Sequence, residues 1–234
     1  MKKPALIPAL AGVLPVAAVF VAYALNRYTG TDLEPRFICN PYIDGCVSIS
    51  RAVRSGPGLH LFRAVMLPCA MLLFISWAMV RDWLLCIDAC RSRRAAAVFW
   101  LGAVGALFLV LYVTWLGTEG EWYRWLRRYG VTVYFGGTSL AQLLLVWVLW
   151  PQRVRLAEGR LRGLVGALTS LVALQWFLGV SSVAKRLLLD DPDLMDRIEN
   201  LIEWYYGLPM ALVLVVVALM FVRTGFGYRA RTGP

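Results

Sequence analysis

Long apolar runs alternate with short polar clusters along this chain. Apolar stretches cover about residues 6–25, 59–80, 95–116, 129–150, 161–181 and 201–222, and each is nearly free of charge. Roughly 20 consecutive apolar residues suffice for a helix to cross the hydrocarbon of a bilayer. The pattern therefore predicts an all-α polytopic membrane protein, a bundle of six transmembrane helices forming a single integral membrane domain over 1–234. In lipid the backbone must satisfy its hydrogen bonds within each helix, which is why charge is confined to the ends. The second span can continue helically to Cys90, and Pro151 ends the fourth. Pro15 falls mid-span in the first helix, a kink that a bundle tolerates.

The first stretch follows Lys2 and Lys3, and Ala22-Tyr23-Ala24 resembles a signal-peptidase site, so a cleaved signal peptide is the alternative to a first span. The run is longer than a usual signal core, which favours a span. A polar connection over 26–58 follows, with a turn rich in Arg91, Arg93 and Arg94 after span two, a Glu- and Trp-containing loop before span four, and an acidic loop from Asp190 to Glu199 before span six.

Composition sharpens this picture. Hydrophobic residues make up 60% of the chain and charged residues 16%, against about a quarter charged in soluble domains. The formal charge of +10 could suggest nucleic acid, but the basic residues flank apolar runs and form no polar face, so they read as topology signals. With the N-terminus inside, 13 of the 24 basic residues lie in inner segments, packed into short loops, whereas 11 of the 14 acids lie outside. Dense arginine in short loops predicts both termini inside and the 26–58 loop outside. The bias towards Arg, with Lys only at positions 2, 3 and 185, suits a GC-rich genome and suggests a bacterial inner membrane with a periplasmic first loop. Trp83, Trp115, Trp122, Trp150, Trp204 and Tyr205 fall near span ends, as interfacial aromatic belts require.

Few residues are equipped for chemistry. Cys39 and Cys46 share the outer loop with Pro41 and Gly45 between them, which favours a disulfide over two separate thiols. Cys86 and Cys90 are four apart on one predicted helical face and read as reduced thiols, with no metal ligands nearby; Cys69 reads as packing. His60 is the sole histidine. That excludes bis-His haem and multi-histidine metal sites within one chain. No catalytic or nucleotide-binding signature is present, and no cofactor is implied.

Polar groups within spans are the remaining signal. His60 and Arg63, three apart, share a face near the outer end of span two. Glu203 lies in the first turn of span six, Gln142 in span four and Gln175 in span five. Ionisable groups at depth usually face the bundle interior, so Arg63 and Glu203 could form a buried pair in an outward-facing cavity, with His60 as a base or phosphate ligand. The other reading puts all three at the interface, with Arg63 reaching to water.

The segment Ser48-Ile49-Ser50-Arg51-Ala52, followed by Gly56-Pro57, His60 and Arg63, resembles the first outer loop and second helix of the damage-regulated autophagy modulator family, which includes GPI-anchor lipid maturation proteins. Glu203-Trp204 is similar to the Glu-Trp pair that starts the last helix there, and the six-span layout agrees. Gly207, Leu208, Pro209 and Met210 depart from the family's Asn and His after that pair, and Asn40-Pro41-Tyr42-Ile43 only loosely matches its loop. The resemblance implies membrane lipid handling: binding, remodelling or distribution of a phospholipid or glycolipid. A membrane-embedded acyltransferase or hydrolase with His60 as base, a small-solute transporter, and a non-catalytic subunit with a protein partner or in a homo-oligomer stay as alternatives.

Overall fold

The structure is a computed structural model that describes residues 3–29, 39–153 and 161–228. No strand occurs among the described residues, and helices follow one another in chain order. They are α1 (Lys3–Thr29), α2 (Pro41–Asp44), α3 (Ile49–Ala52), α4 (Gly56–Cys86), α5 (Ser92–Trp115), α6 (Glu121–Leu149), α7 (Arg162–Leu188) and α8 (Pro192–Thr224). A 3-10 turn, Pro151–Arg153, follows α6. Six helices are long and apolar enough to cross a membrane: α1, α4, α5, α6, α7 and α8.

Several helices outrun the apolar stretches that announce them. The residues Trp122, Tyr123 and Trp125, expected in a loop, form the first turns of α6, which starts after Gly120 at φ 114. The acidic segment before span six is likewise helical from Pro192. Asp191 caps α8 by accepting hydrogen bonds from the backbone N–H groups of Asp193 and Leu194, and Pro192 sits at the first helical position, where its missing N–H costs nothing. Gly225, at φ 68, ends the helix in the left-handed conformation. Hydropathy reports where lipid is; capping and backbone bonding decide where a helix stops. Conversely α4 ends at Cys86, because the chain turns through Asp88 at φ 50. Cys90 therefore lies in the α4–α5 turn and does not share a helical face with Cys86.

The six long helices close into a ring in the order α1, α4, α5, α6, α7, α8 and back to α1. The α6–α7 seam is the loosest, and the α5–α6 seam is among the tightest. Glycines explain the tight one: a Cβ on Gly130 would lie 2.8 Å from the Tyr112 backbone N, so α5 and α6 meet backbone to backbone. α1 packs on both α4 and α8, with Gly12 pressed against Ala211, so the first apolar stretch is an integral member of the bundle. The first turn of α1 and the segment after α8 meet at one end, where Pro4 lies against Gly227. At this terminal end Trp83 Nε1 donates to Thr224 Oγ1 at 3.0 Å and the Tyr228 hydroxyl to Asp82 at 2.7 Å. The opposite end carries α2, α3 and the α5–α6 and α7–α8 turns.

Candidate functional site

Residues 39–55 form a clasp over the end opposite the termini. Cys39 and Cys46 are joined by a disulfide, Cα atoms 6.6 Å apart. Asn40 caps α2 by accepting from the Tyr42 N–H at 3.0 Å, and Ser48 caps α3 by accepting from the Arg51 N–H at 3.2 Å. Between them Gly45 adopts φ 59 and passes so close to the Arg197 carbonyl that no side chain fits.

One face of α8 grips this clasp. Asn200 Nδ2 donates to the Gly45 carbonyl at 2.8 Å, Trp204 Nε1 to the Val47 carbonyl at 2.8 Å, and Arg197 to the Asp44 carbonyl at 3.2 Å. The Ser50 N–H donates to Glu203 Oε1 at 3.3 Å. Arg51 forms a two-pronged ion pair with Asp196 at 2.9 and 2.8 Å. Positions 196, 200, 203, 204 and 207 recur at helical spacing, so a single stripe serves the whole clasp. From α1, Asn26 donates to the Ala52 carbonyl and accepts from the Gly58 N–H, at 3.0 and 2.8 Å. The Tyr23 hydroxyl donates to the Cys39 carbonyl at 2.9 Å. Phe20, Tyr42 and Trp204 stack beside these bonds, with Tyr42 to Trp204 centroids 5.4 Å apart. Burial, aided by the nearby Tyr205, raises the Tyr42 hydroxyl above its ordinary value.

Below the clasp a narrow cavity of about 90 Å³ runs into the ring between α1, α4, α5, α6 and α8. Most of its wall is apolar, from Tyr42 and Ile49 of the clasp to Leu73, Leu109 and Leu214 deeper in. Phe20 and Leu208, 44% and 38% exposed, belong to the wall, so the cavity reaches the lateral surface. Its polar groups are few: Glu203 at the clasp end, the hydroxyls of Tyr112 and Tyr134, and Thr138 Oγ1, which is buried without a hydrogen-bond partner among the described residues. Glu203 and Tyr112 interact electrostatically, and both feel the charge of Arg54. Arg54 in turn lies within electrostatic reach of Arg127, as does Arg124. Arg54 and Arg127 thus both act electrostatically on Tyr112, and Arg54 also on Glu203, from outside the cavity wall.

The expected trio is divided. Glu203 lines the cavity, but Arg63 points to the α5–α6 turn, where it donates to the Leu116 carbonyl and, at 3.4 Å, to Thr118 Oγ1. Arg127 secures the same turn by donating to the Trp115 carbonyl at 3.3 Å and to the Thr118 carbonyl. No ion pair joins Arg63 to Glu203 among the described residues. His60 is exposed on α4 and lies outside the cavity wall. Three-residue spacing does place His60 and Arg63 on one side of α4, yet the long arginine reaches the nearest uncapped carbonyls and is used there.

The two glutamines are fully buried and act between helices. Gln142 donates to the Met210 carbonyl at 2.9 Å, tying α6 to α8. Gln175 donates to Ser139 Oγ at 2.6 Å, tying α7 to α6. Among the described residues no group of three His, Cys, Asp or Glu side chains could hold a metal ion. Asn26, Arg54, Tyr112 and Asn200 escaped the reading of the sequence, and Trp204 was read as an interfacial aromatic and as part of the Glu203-Trp204 pair but not as a hydrogen-bond donor to the clasp. Asn200 and Trp204, four apart beside Asp196, carried the one usable signal, a polar stripe leading into an apolar helix.

No protein-family model, curated protein or solved structure matches the chain.

Proposed function

We propose that this integral membrane protein holds an anionic phospholipid or glycolipid, with acyl chains in the ring cavity and the head group beneath the clasp. The observation that carries the reading is the cavity itself: an apolar wall open to the lateral surface, with one charged lining residue, Glu203, at the clasp end and Arg54 within electrostatic reach of it. That polarity matches a lipid, whose apolar and ionic parts are separated along its length. Arg54 is the residue we assign to the phosphate, with Arg124 and Arg127 adding positive field, since guanidinium groups bind phosphate through paired N–H donors. Tyr112 supplies a hydroxyl for an ester or sugar oxygen, and Glu203, held by the Ser50 N–H, orients the basic group or a sugar hydroxyl.

The arginine-dense turns support an orientation with both termini in the cytoplasm and the clasp in an oxidising compartment, as in a bacterial inner membrane facing the periplasm. The lipid would then enter from the outer leaflet. The two short segments that resemble the autophagy modulator family, Ser48–Ala52 and Glu203-Trp204, meet at this site through the Ser50 to Glu203 bond, which favours lipid handling as the shared theme. A hydrolase using His60 has less support, because Ser48 Oγ serves as a helix cap and His60 is exposed outside the cavity wall.

The test measures phospholipid retained by the purified protein, by native mass spectrometry and lipid extraction. Arg54→Ala should lower retained anionic lipid about tenfold, the worth of one charge-assisted hydrogen bond. Met66→Trp, which fills the cavity, should displace it while the protein stays monodisperse. Retention at the wild-type level in both folded variants would refute the reading.

A further inference from the structure

A second opening lies between α6 and α7, away from the clasp. This groove, of about 570 Å³, is bounded by Gly136 and Leu140 of α6 and by Gly179 and Val183 of α7, with Tyr206 of α8 at its floor. It exists because glycines line it: a Cβ on Gly136 would meet nothing within 4 Å, and one on Gly179 would meet only the Tyr206 ring at 3.5 Å. Among the described residues no charged side chain lines the groove. Exposed Val180, Val183 and Leu187 continue its wall along α7.

The floor is polar and incompletely paired. Gln175 is 0% exposed; its Nε2 donates to Ser139 Oγ at 2.6 Å, while its Oε1 has no hydrogen-bond partner among the described residues. Ser139 Oγ and the Tyr206 hydroxyl are 2.5 Å apart, and either can be the donor. Those two hydroxyls own two protons and share one contact, so one proton is left over whichever way the bond runs. Trp176 Nε1, on the same wall, is a further donor without a partner among the described residues. The groove therefore offers a spare acceptor beside spare donors. Hydrocarbon can satisfy none of them, and an unpaired buried polar group costs about 1–3 kcal/mol. A hydroxyl group, which both donates and accepts, satisfies an acceptor and a donor at once.

Depth narrows the chemistry. Gln175 stands 13 residues from either end of α7, about 20 Å along the axis at 1.5 Å per residue. A phosphate cannot follow its ester that far into hydrocarbon without a cation, and the groove has none among the described residues. An uncharged head group can.

We infer that the α6–α7 groove is a lateral docking site for a neutral lipid with a free hydroxyl, of which diacylglycerol is the simplest kind. Its hydroxyl donates to Gln175 Oε1 and accepts the spare proton of the Ser139–Tyr206 pair, and an acyl chain lies along Val180 and Val183. This site stands apart from the phospholipid cavity and does not depend on it.

The full chain is reconstituted in phosphatidylcholine nanodiscs with a small fraction of diazirine-tagged diacylglycerol, or with phosphatidylglycerol carrying the same tagged chain. After illumination, labelled peptides are mapped by mass spectrometry. Diacylglycerol should label the peptides around Gly136–Leu140 and Val180–Leu187 at least about fivefold more than phosphatidylglycerol does. Gln175→Leu should lower that labelling by a similar factor. Gly179→Leu, which fills the open groove against the Tyr206 ring and leaves Gln175 in place, should abolish it even if Gln175→Leu folds poorly. Arg54→Ala should leave it unchanged, so failure here is distinguishable from failure of the phospholipid reading. Equal labelling by the two probes, or labelling that survives Gly179→Leu, would overturn the inference.

Discussion

Two adjacent glycines of α6 should respond to alanine in opposite directions. Gly136 faces the open groove, where a Cβ meets nothing within 4 Å. Gly137 faces α5: a Cβ there would lie 3.0 Å from the Leu101 carbonyl oxygen, 3.1 Å from the Gly105 N and 3.3 Å from the Gly105 Cα. All three are backbone atoms, so no rotamer change relieves the overlap and the helices must part. Helix propensity alone favours alanine at both positions by about 1 kcal/mol. At Gly136 nothing opposes that gain. At Gly137 overpacking of about 1–3 kcal/mol opposes it, and the net effect is destabilising. Gly130 is tighter still, with Tyr112 backbone atoms 2.8 and 2.9 Å from the added carbon. Stability should therefore fall in the order Gly136→Ala, wild type, Gly137→Ala, Gly130→Ala. With about 2–4 °C of melting temperature per kcal/mol at this chain length, the extremes should differ by several degrees. Thermal ramps followed by tryptophan fluorescence in one detergent, with size-exclusion profiles as a check on folding, would resolve this. Melting of Gly137→Ala and Gly130→Ala at or above the wild-type temperature would refute backbone-to-backbone packing of α5 on α6.

Three further outcomes follow from the clasp and the terminal end. Trp204→Phe keeps the buried ring but leaves the Val47 carbonyl unpaired, so it should cost about 1–3 kcal/mol in denaturant or thermal unfolding; no change would mean that water replaces the bond. Cys39→Ser opens a link between residues seven apart, and chain entropy puts the loss at about 2–3 kcal/mol; reductant should lower the melting temperature of the wild type and leave the variant unmoved. The Tyr228 hydroxyl, tucked against Asp82 while much of its ring is exposed, is pushed up to about 12 from 10.0, first by burial and then by the Asp82 carboxylate. A folded value above the unfolded one means its contribution is intact below about pH 10 and lost as pH rises towards 12. A difference titration of phenolate absorbance, wild type against Tyr228→Phe, should show the late-titrating group, and an ordinary midpoint near 10 would remove the Asp82 contact.

The sequence located the six long apolar helices well and their ends less well. Charge-free runs are a local property, and lipid reads them residue by residue, so the six long helices were legible. Trp122 and the acids from Asp193 to Glu199 were misplaced because polar residues outside the hydrocarbon are as free to be helical as apolar ones, and only the caps at Gly120 and Asp191 decide. The pairing of Cys39 with Cys46 was legible for the same local reason, since a turn of Pro41 and Gly45 lies between them.

The site was legible only in part. Glu203 was found as an ionisable group at the start of a span, and it does line the cavity. Its partner was not legible, because the Ser50 N–H that it accepts lies 153 residues away and is delivered by the clasp. Arg63 looked like that partner, yet the α5–α6 turn offered it carbonyls at closer reach. Composition and hydropathy by themselves determined that the chain forms six long apolar helices with charge at their ends, because the cost of burying a charge in lipid depends on one segment at a time. Which polar groups meet, where the ring leaves a cavity and which seam stays open were decided by tertiary packing alone, because these depend on how glycines and side chains from different helices share the same space.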